Sequence, residues 1–455
     1  MKKIERRAMI CRLLALFLGL GLCLFVAKFL FQGGDWASAA FNRHLYDTKG
    51  QLASGSVLDR DGDVLSTMQD GKRVYYNNAD VRKATLHAVG DLQGNIGTGA
   101  LNAFADKLTG YDLLNGAFGA DRGSQLYLTL DARYNYEAYK ALNGHAGTVA
   151  VYNYKTGEIL CMVSAPSYDP LHIPKDIETN DRWKGAYLNR FLSATFPPGS
   201  VYKTVTVAAA LEELPNVMNR TWDCSGSVKM GDDTITCSGT HGTQTIGDAL
   251  ANSCNVAFAE IAKELGPKTL QAYTEKAGLT SSYSVDGLPT AKGSFAWDKI
   301  TDGQLGWAGI GQYKDQVNPC ALMVYMGAIA NGGTAAEPYL IRKTVSALGI
   351  PSLPHRSKQT DELISPDTAK TVADMMAANV DRTYGHKRFP NMDLCAKSGT
   401  AEVGEGKRPH AWFTGFLRNE DAPYAFVALV ENGGGGSSVA GTVAGKVLNT
   451  IVNGY

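Results

Sequence analysis

Hydrophobic and polar positions follow different rhythms along this chain. Leu13 to Phe31 is an apolar run interrupted by a charge at Lys28 alone. About 19 such residues at 1.5 Å rise come close to the ~30 Å core of a bilayer. Lys28, near the far end, can snorkel to the interface. Gly55 to Leu65 alternates around an Asp-Gly turn, which predicts a hairpin. Asp59, Asp61 and Asp63 imitate a calcium loop, but Val64 stands where that loop needs its glycine, so a plain turn is expected. Thr98 to Leu108, ending at Gly110, carries helical periodicity.

From Leu126 the pattern changes. Leu126 to Leu130 alternates as a strand, and Asp131 is placed to cap a helix reaching Leu142. Gly147 to Tyr152 and Ile159 to Ser164 predict a second hairpin around Lys155-Thr-Gly157. Helical stretches follow. Strands return at Trp412 to Leu417 and Tyr424 to Glu431, and a helix is expected from about Ser438 to Val452. Strands at both ends of a helical middle imply an α+β fold whose sheet pairs distant segments.

Charge sharpens the N-terminal picture. Lys2, Lys3, Arg6, Arg7 and Arg12 precede or open the apolar run. Positive flanks stay inside, so 1–8 is expected as a cytoplasmic tail, 9–31 as a membrane anchor, and the rest as extracytoplasmic. The alternative is a cleaved signal peptide with Ala37-Ser38-Ala39 at the cut, but the apolar run is long for one. Over the whole chain Lys plus Arg and Asp plus Glu balance at 44 each, so nothing points to a nucleic-acid partner.

The eight cysteines fall into groups. Cys11 and Cys23 belong to the anchor, and Cys161, Cys254, Cys320 and Cys395 read as single buried thiols. Cys224 and Cys237 flank a Gly/Asp-rich turn, with His241, Asp223, Asp232 and Asp233 close by. A disulfide, a metal site and two free thiols all remain open there.

Candidate chemistry begins at Phe196-Pro-Pro-Gly-Ser-Val-Tyr-Lys203, a rigid turn entering an apolar helix, Val201 to Leu211. Ser200 sits at its first turn, and Lys203, three residues on, shares its face. A lysine with a lowered pKa can take the proton of a serine nucleophile. Ser-x-x-Lys alone is common, and such a serine can simply cap a helix. Two further elements change that weighting. Asn252-Ser253-Cys254-Asn255 interrupts a helical stretch from Thr245 to Leu265. Lys397-Ser398-Gly399-Thr400 follows the apolar Leu394 to Ala396 on an expected edge strand, where glycine lets a substrate backbone approach.

Ser-x-x-Lys, Ser-x-Asn and Lys-Ser/Thr-Gly in this order resemble the signature of penicillin-binding proteins and serine β-lactamases. Leu128-Thr-Leu-Asp131, Gly157 to Pro170, Gly309-Ile-Gly-Gln312, Ala328 to Gly333 and Ala411 to Phe416 are similar to class B, monofunctional penicillin-binding proteins. The resemblance runs over about residues 125 to 455, and more weakly through Asp59 to Gly62 and His87 to Gly90. It implies a small module over 32–124 and a transpeptidase domain over 125–455. That domain should hold an antiparallel sheet flanked by helices plus an all-helical subdomain. The arginine usual before the module's Gly-x-x-x-Asp-Arg-x-Gly stretch is replaced by Ser54, and the region before 125 is too small for a glycosyltransferase.

The implied activity is acyl transfer on the D-Ala-D-Ala end of peptidoglycan stem peptides, with covalent inhibition by β-lactams. Ser200 is implied as nucleophile and Lys203 as base. Ser253 would relay the proton, Asn255 would bind the substrate amide, and Lys397 would supply positive field. Ser398 and Thr400 would hold the carboxylate beside Gly399, and the N–H groups of Ser200 and Thr400 would form the oxyanion hole. Neither cofactor nor metal is called for in this chemistry. The implied partner is a multispanning glycosyltransferase of the shape, elongation, division and sporulation (SEDS) type. Hydrolysis, as in a D,D-carboxypeptidase or β-lactamase, is the runner-up; a β-lactam sensor or silent scaffold fits less well.

Overall fold

A computed structural model describes residues 2–37, 55–109 and 123–454; Ser38, Ala39, Ser54 and Gly110 lie outside them. Helix α1, Lys2–Ala37, contains the stretch Ile4–Lys28, long and apolar enough to cross a membrane.

The next elements form a small sheet. Strands β1 (Ser56–Leu58), β2 (Val64–Gln69) and β3 (Lys72–Tyr75) make an antiparallel meander, followed by helix α2 (Ala79–Val89). The sheet is completed from outside this stretch. Strand β4 (Gln125–Leu128) runs parallel to β1, and a strand at Ile341–Val345 pairs with β4 on its other side. The expected helix over 98–108 is two short ones, Ala100–Ala103 and Ala105–Leu108. They part at Phe104, an aromatic residue with weak helix propensity whose ring is buried in the core.

The larger sheet begins after helix α3 (Ala132–Leu142) with β5 (Gly147–Asn153) and β6 (Ile159–Ala165). A helical region follows, led by α4 (Lys203–Glu213), α5 (Asn255–Lys276), α6 (Pro319–Ala330) and, beyond β7 (Ile341–Val345), α7 (Pro366–Asn379). Strands β8 (Leu394–Ala401), β9 (His410–Leu417) and β10 (Tyr424–Val430), then helix α8 (Gly441–Asn453), close the chain. The sheet order is β8-β9-β10-β5-β6, antiparallel throughout, so β8 is an edge.

Period-two alternation distributes side chains between two cores. Trp412 and Phe416 of β9, with Ala425, Val427 and Leu429 of β10, meet the helical region. Ala411, Phe413, Phe426 and Ala428 point the other way, against α3 and α8. Helix α6 is buried almost all round, as its unbroken apolar sequence requires. Its start is set by Asn318, whose Oδ1 accepts the N–H groups of Cys320 and Ala321.

The Asp59 to Asp63 stretch is a turn. The buried Asp59 carboxylate accepts the N–H groups of Asp61 and Asp63, both at 2.9 Å, and that of Ala132 at 3.1 Å. It therefore ties the first hairpin to the start of α3, while Asp131 caps that helix through Arg133 N. Asp59→Ala leaves these donors unsatisfied, and a buried orphan costs ~1–3 kcal/mol. Chemical denaturation should show a loss of about 2–4 kcal/mol; no loss would mean that this junction is unimportant.

Candidate active site

The segment before α4 is held against the edge of the larger sheet. Gly199–Val201 forms a single 3₁₀ turn, with Gly199 in the left-handed region at φ +55°. A Cβ there would lie 2.8 Å from the carbonyl oxygen of Thr400 and 3.1 Å from Ala401 Cα. Gly199 N–H donates to Gly311 O at 2.8 Å, and Trp412 Nε1 donates to Pro197 O at 2.9 Å. The turn thus presents Ser200 to a cleft of about 590 Å³ also lined by Ser253, Asn255, Gln312, Ser398 and Thr400.

Ser253 occupies the break foreseen between two helices. Helix Ile246–Ala251 ends in a Schellman arrangement, with Ser253 N donating to Leu250 O and Cys254 N to Ala249 O. Ser253 takes the left-handed position at φ +53°, usually given to glycine. A serine accepts backbone strain there, and the return is a hydroxyl pointed at two amines.

Those amines are fully buried. Lys203 Nζ donates to Ser253 O at 2.6 Å and Asn255 Oδ1 at 2.8 Å, and lies 3.3 Å from Ser253 Oγ. Lys397 Nζ donates to the same Oγ at 2.9 Å and to Ser398 O at 2.9 Å. Burial pulls the Lys203 amine down to about 7, opposed by the nearby Cys237 and Cys254. The Lys397 amine is also lowered, first by burial and then by Lys203. Two ammonium ions this far from water repel each other, so near neutral pH the pair holds at most one full proton charge.

All eight candidates therefore converge. Ser200, Ser253, Asn255, Ser398 and Thr400 line the cleft, and Lys203 and Lys397 lie beneath Ser253. Gly399 completes the set with a difference. Its open side faces Pro198 O and Val201 Cγ1, each 3.0 Å from a built Cβ, so the missing side chain makes room for the Ser200 turn.

Comparison with known proteins gives the family. The model of the penicillin binding protein transpeptidase domain matches residues 147–452. The chain belongs to the penicillin-binding transpeptidases. Within them it falls in class B. It is 32% identical over 370 residues to peptidoglycan D,D-transpeptidase PbpA of Mycolicibacterium smegmatis, covering 75% of this chain and 74% of the relative. To MrdA of Escherichia coli, another peptidoglycan D,D-transpeptidase, it is 26% identical over 373 residues, covering 73% of this chain and 58% of that one. Among solved structures, the D,D-transpeptidase domain from Eggerthella lenta superposes with a TM-score of 0.76 at 26% identity, covering 88% and 98%. A penicillin G acyl-enzyme complex of penicillin-binding protein A from M. tuberculosis gives 0.77 at 24%, covering 88% and 99%.

In this penicillin-binding protein, two residues unforeseen in the sequence hold strand β8. The Tyr384 hydroxyl accepts the N–H of Ser398 at 2.8 Å and donates to Ser398 Oγ at 2.9 Å. Asn379, at the end of α7, donates to that hydroxyl and to Ala396 O. Tyr384 closes a π-helical turn, Val380–Tyr384, so no 3.6-residue period marks it.

One cysteine departs from expectation. Cys224 and Cys237 flank a hairpin, Ser227–Met230 with Asp233–Thr236, and of the alternatives open for them no disulfide joins them. Cys254 is not a solitary thiol, because its Sγ lies 3.9 Å from that of Cys237. The reason is the Ser253 break, which turns the start of α5 toward this hairpin.

Two substitutions test the site. Ser253→Gly should keep a thermal stability near the parent's, since relief of a left-handed residue offsets the lost Oγ acceptor, yet slow penicillin acylation at least about a hundredfold. An unstable but active variant would contradict this reading. Tyr384→Phe should fold and acylate about tenfold more slowly, because it leaves the Ser398 N–H unpaired; an unchanged rate would remove Tyr384 as a positioning residue.

Proposed function

We propose that this protein is a serine-type peptidoglycan D,D-transpeptidase, inhibited covalently by β-lactams, with the catalytic roles distributed as follows. The carrying observation is that one hydroxyl, Ser253 Oγ, lies between two buried amines at the floor of the Ser200 cleft. In its neutral form Lys203 accepts the Ser200 hydroxyl proton as Ser200 Oγ attacks the penultimate D-alanine carbonyl. The oxyanion is met by backbone N–H groups of Ser200 and Thr400, a contribution worth ~10²–10³ in rate per donor. The peptide C–N bond breaks, and the departing D-alanine amine takes its proton through Ser253. An acceptor amine then attacks the ester, its C–O bond breaks, and Ser200 recovers a proton.

Substrate binding falls to Asn255, to the exposed side of strand β8 and to its hydroxyls. Ser398 and Thr400 face the cleft while Lys397 and Gly399 are turned inward, so two hydroxyls and a cationic floor are available to a terminal carboxylate. In a β-lactam the leaving nitrogen stays tethered to the acyl group, so it keeps blocking the acceptor path.

Hydrolysis remains the second reading, because Glu402 also lines the cleft and offers a carboxylate to a water. It predicts D-alanine release without cross-linked product.

The same proposal puts the N-terminus in the cytoplasm and the catalytic domain outside, supported by Lys2 and Lys3 ahead of the span Ile4–Lys28 and by Arg6, Arg7 and Arg12 in its first half. A multispanning SEDS-type glycosyltransferase would supply glycan strands. Co-purification of the two from gently solubilised membranes tests that partnership, and recovery of free monomer alone would count against it.

Labelled penicillin tests the nucleophile. Ser200→Ala should keep its melting temperature and take up no covalent label, and Lys203→Ala should be slowed ~10²–10⁴-fold. Label retained by Ser200→Ala would overturn the assignment.

A further inference from the structure

Among the described residues, a gathering of metal-ligating side chains lies just behind Ser253. The Sγ atoms of Cys224, Cys237 and Cys254 and a ring nitrogen of His241 all lie within 4.8 Å of one another. They arrive from four places: the end of strand Thr221–Cys224, the end of strand Asp233–Thr236, the loop before Gly242, and the residue preceding α5. Asp223, Asp232 and Asp233 do not join them.

The spacing suits one metal in particular. A tetrahedral zinc with Zn–S of about 2.3 Å and Zn–N of about 2.0–2.1 Å requires S···S edges of about 3.8 Å and S···N edges of about 3.6 Å. Cys237 Sγ stands 3.9 Å from Cys254 Sγ and 3.6 Å from His241 Nδ1. A disulfide needs sulfurs about 2.0 Å apart, so this gap is too wide for one. Outer contacts also suit metal-bound thiolates. Asn255 N–H points at Cys237 Sγ at 3.2 Å, and Ala257 N–H at Cys254 Sγ at 3.4 Å. Three sulfurs and one imidazole form a donor set that favours zinc over calcium or magnesium.

We propose that Cys224, Cys237, His241 and Cys254 bind one structural zinc ion, which holds the Ser253–Asn255 segment in its catalytic conformation. On binding, each thiol gives up its proton and the imidazole binds neutral, so three thiolates and Zn²⁺ leave one net negative charge. All four coordination positions are filled by protein, so the ion has no open position and takes no part in acyl transfer. Cys254 lies between Ser253 and Asn255 in the chain, so fixing its sulfur restrains both neighbours at the point where the backbone is left-handed. The ion-binding part is independent of the transpeptidase reading; the positioning part rests on it.

The test uses the full chain, purified in detergent without a metal-binding tag. Elemental analysis should find about one zinc per chain, reduced at least about tenfold in Cys224→Ser and His241→Ala and unchanged in Cys161→Ala. Should those variants fail to fold, exchange of Co²⁺ into the parent protein gives a second readout: tetrahedral thiolate ligation produces intense visible absorption. Removing zinc with a chelator should lower the melting temperature and slow penicillin acylation at least about tenfold, and added Zn²⁺ should restore both. A metal content below about a tenth of an equivalent with no Co²⁺ spectrum would overturn the site, as would a disulfide among the three cysteines. Zinc removal that leaves acylation unchanged would overturn the positioning role. A zinc-loaded protein that never acylates would instead overturn the transpeptidase reading.

Discussion

Two amines buried on either side of one serine hydroxyl impose the main constraint on this domain. An isolated buried ammonium is costly, and two are mutually repulsive. Lys203 and Lys397 survive there because oxygen acceptors face both amines. Ser253 O, Ser253 Oγ, Asn255 Oδ1 and Ser398 O are all within 3.3 Å of one amine or the other. The same desolvation that makes the arrangement expensive makes an amine neutral enough to act as a base. Stability and reactivity are in direct exchange at this point.

Much of the surrounding architecture holds those acceptors in place. The larger sheet brings β8 to an edge beside α4, and glycines at 199 and 399 let the nucleophile turn pack onto it. On the other side, a left-handed serine ends one helix so that the next can begin with Asn255. Tyr384 and Asn379 brace the strand from below. A cluster of three thiols and an imidazole sits at the remaining side, where the hairpin meets α5.

Local signals in the sequence carried a large share of this. The break at 252–255 was legible because a polar tetrapeptide interrupts a helical run, and the edge strand because an apolar triplet precedes Lys397. The Asp131 cap and the hairpin at 147–164 follow from short-range rules and are present. What stayed hidden depends on contacts distant in sequence. Tyr384 meets Ser398 only through tertiary packing, and Ile341–Val345 joins the module's sheet across more than two hundred residues. Cys254 looked solitary because its partners lie on a hairpin that folds back to it. At 98–108 the period was right but Phe104 divided the helix.

The central claim is that Lys203 is neutral near physiological pH when Ser200 reacts. The sign follows from burial: as pH rises through about 7, Lys203 loses its proton and becomes a base. The second-order rate of penicillin acylation, measured from pH 5 to pH 10 within the range where the protein stays folded, reads this directly. A rate that climbs with a midpoint near pH 7 and levels off above it is predicted. A flat profile, or a climb continuing toward the ordinary lysine range near 10.5, would contradict it.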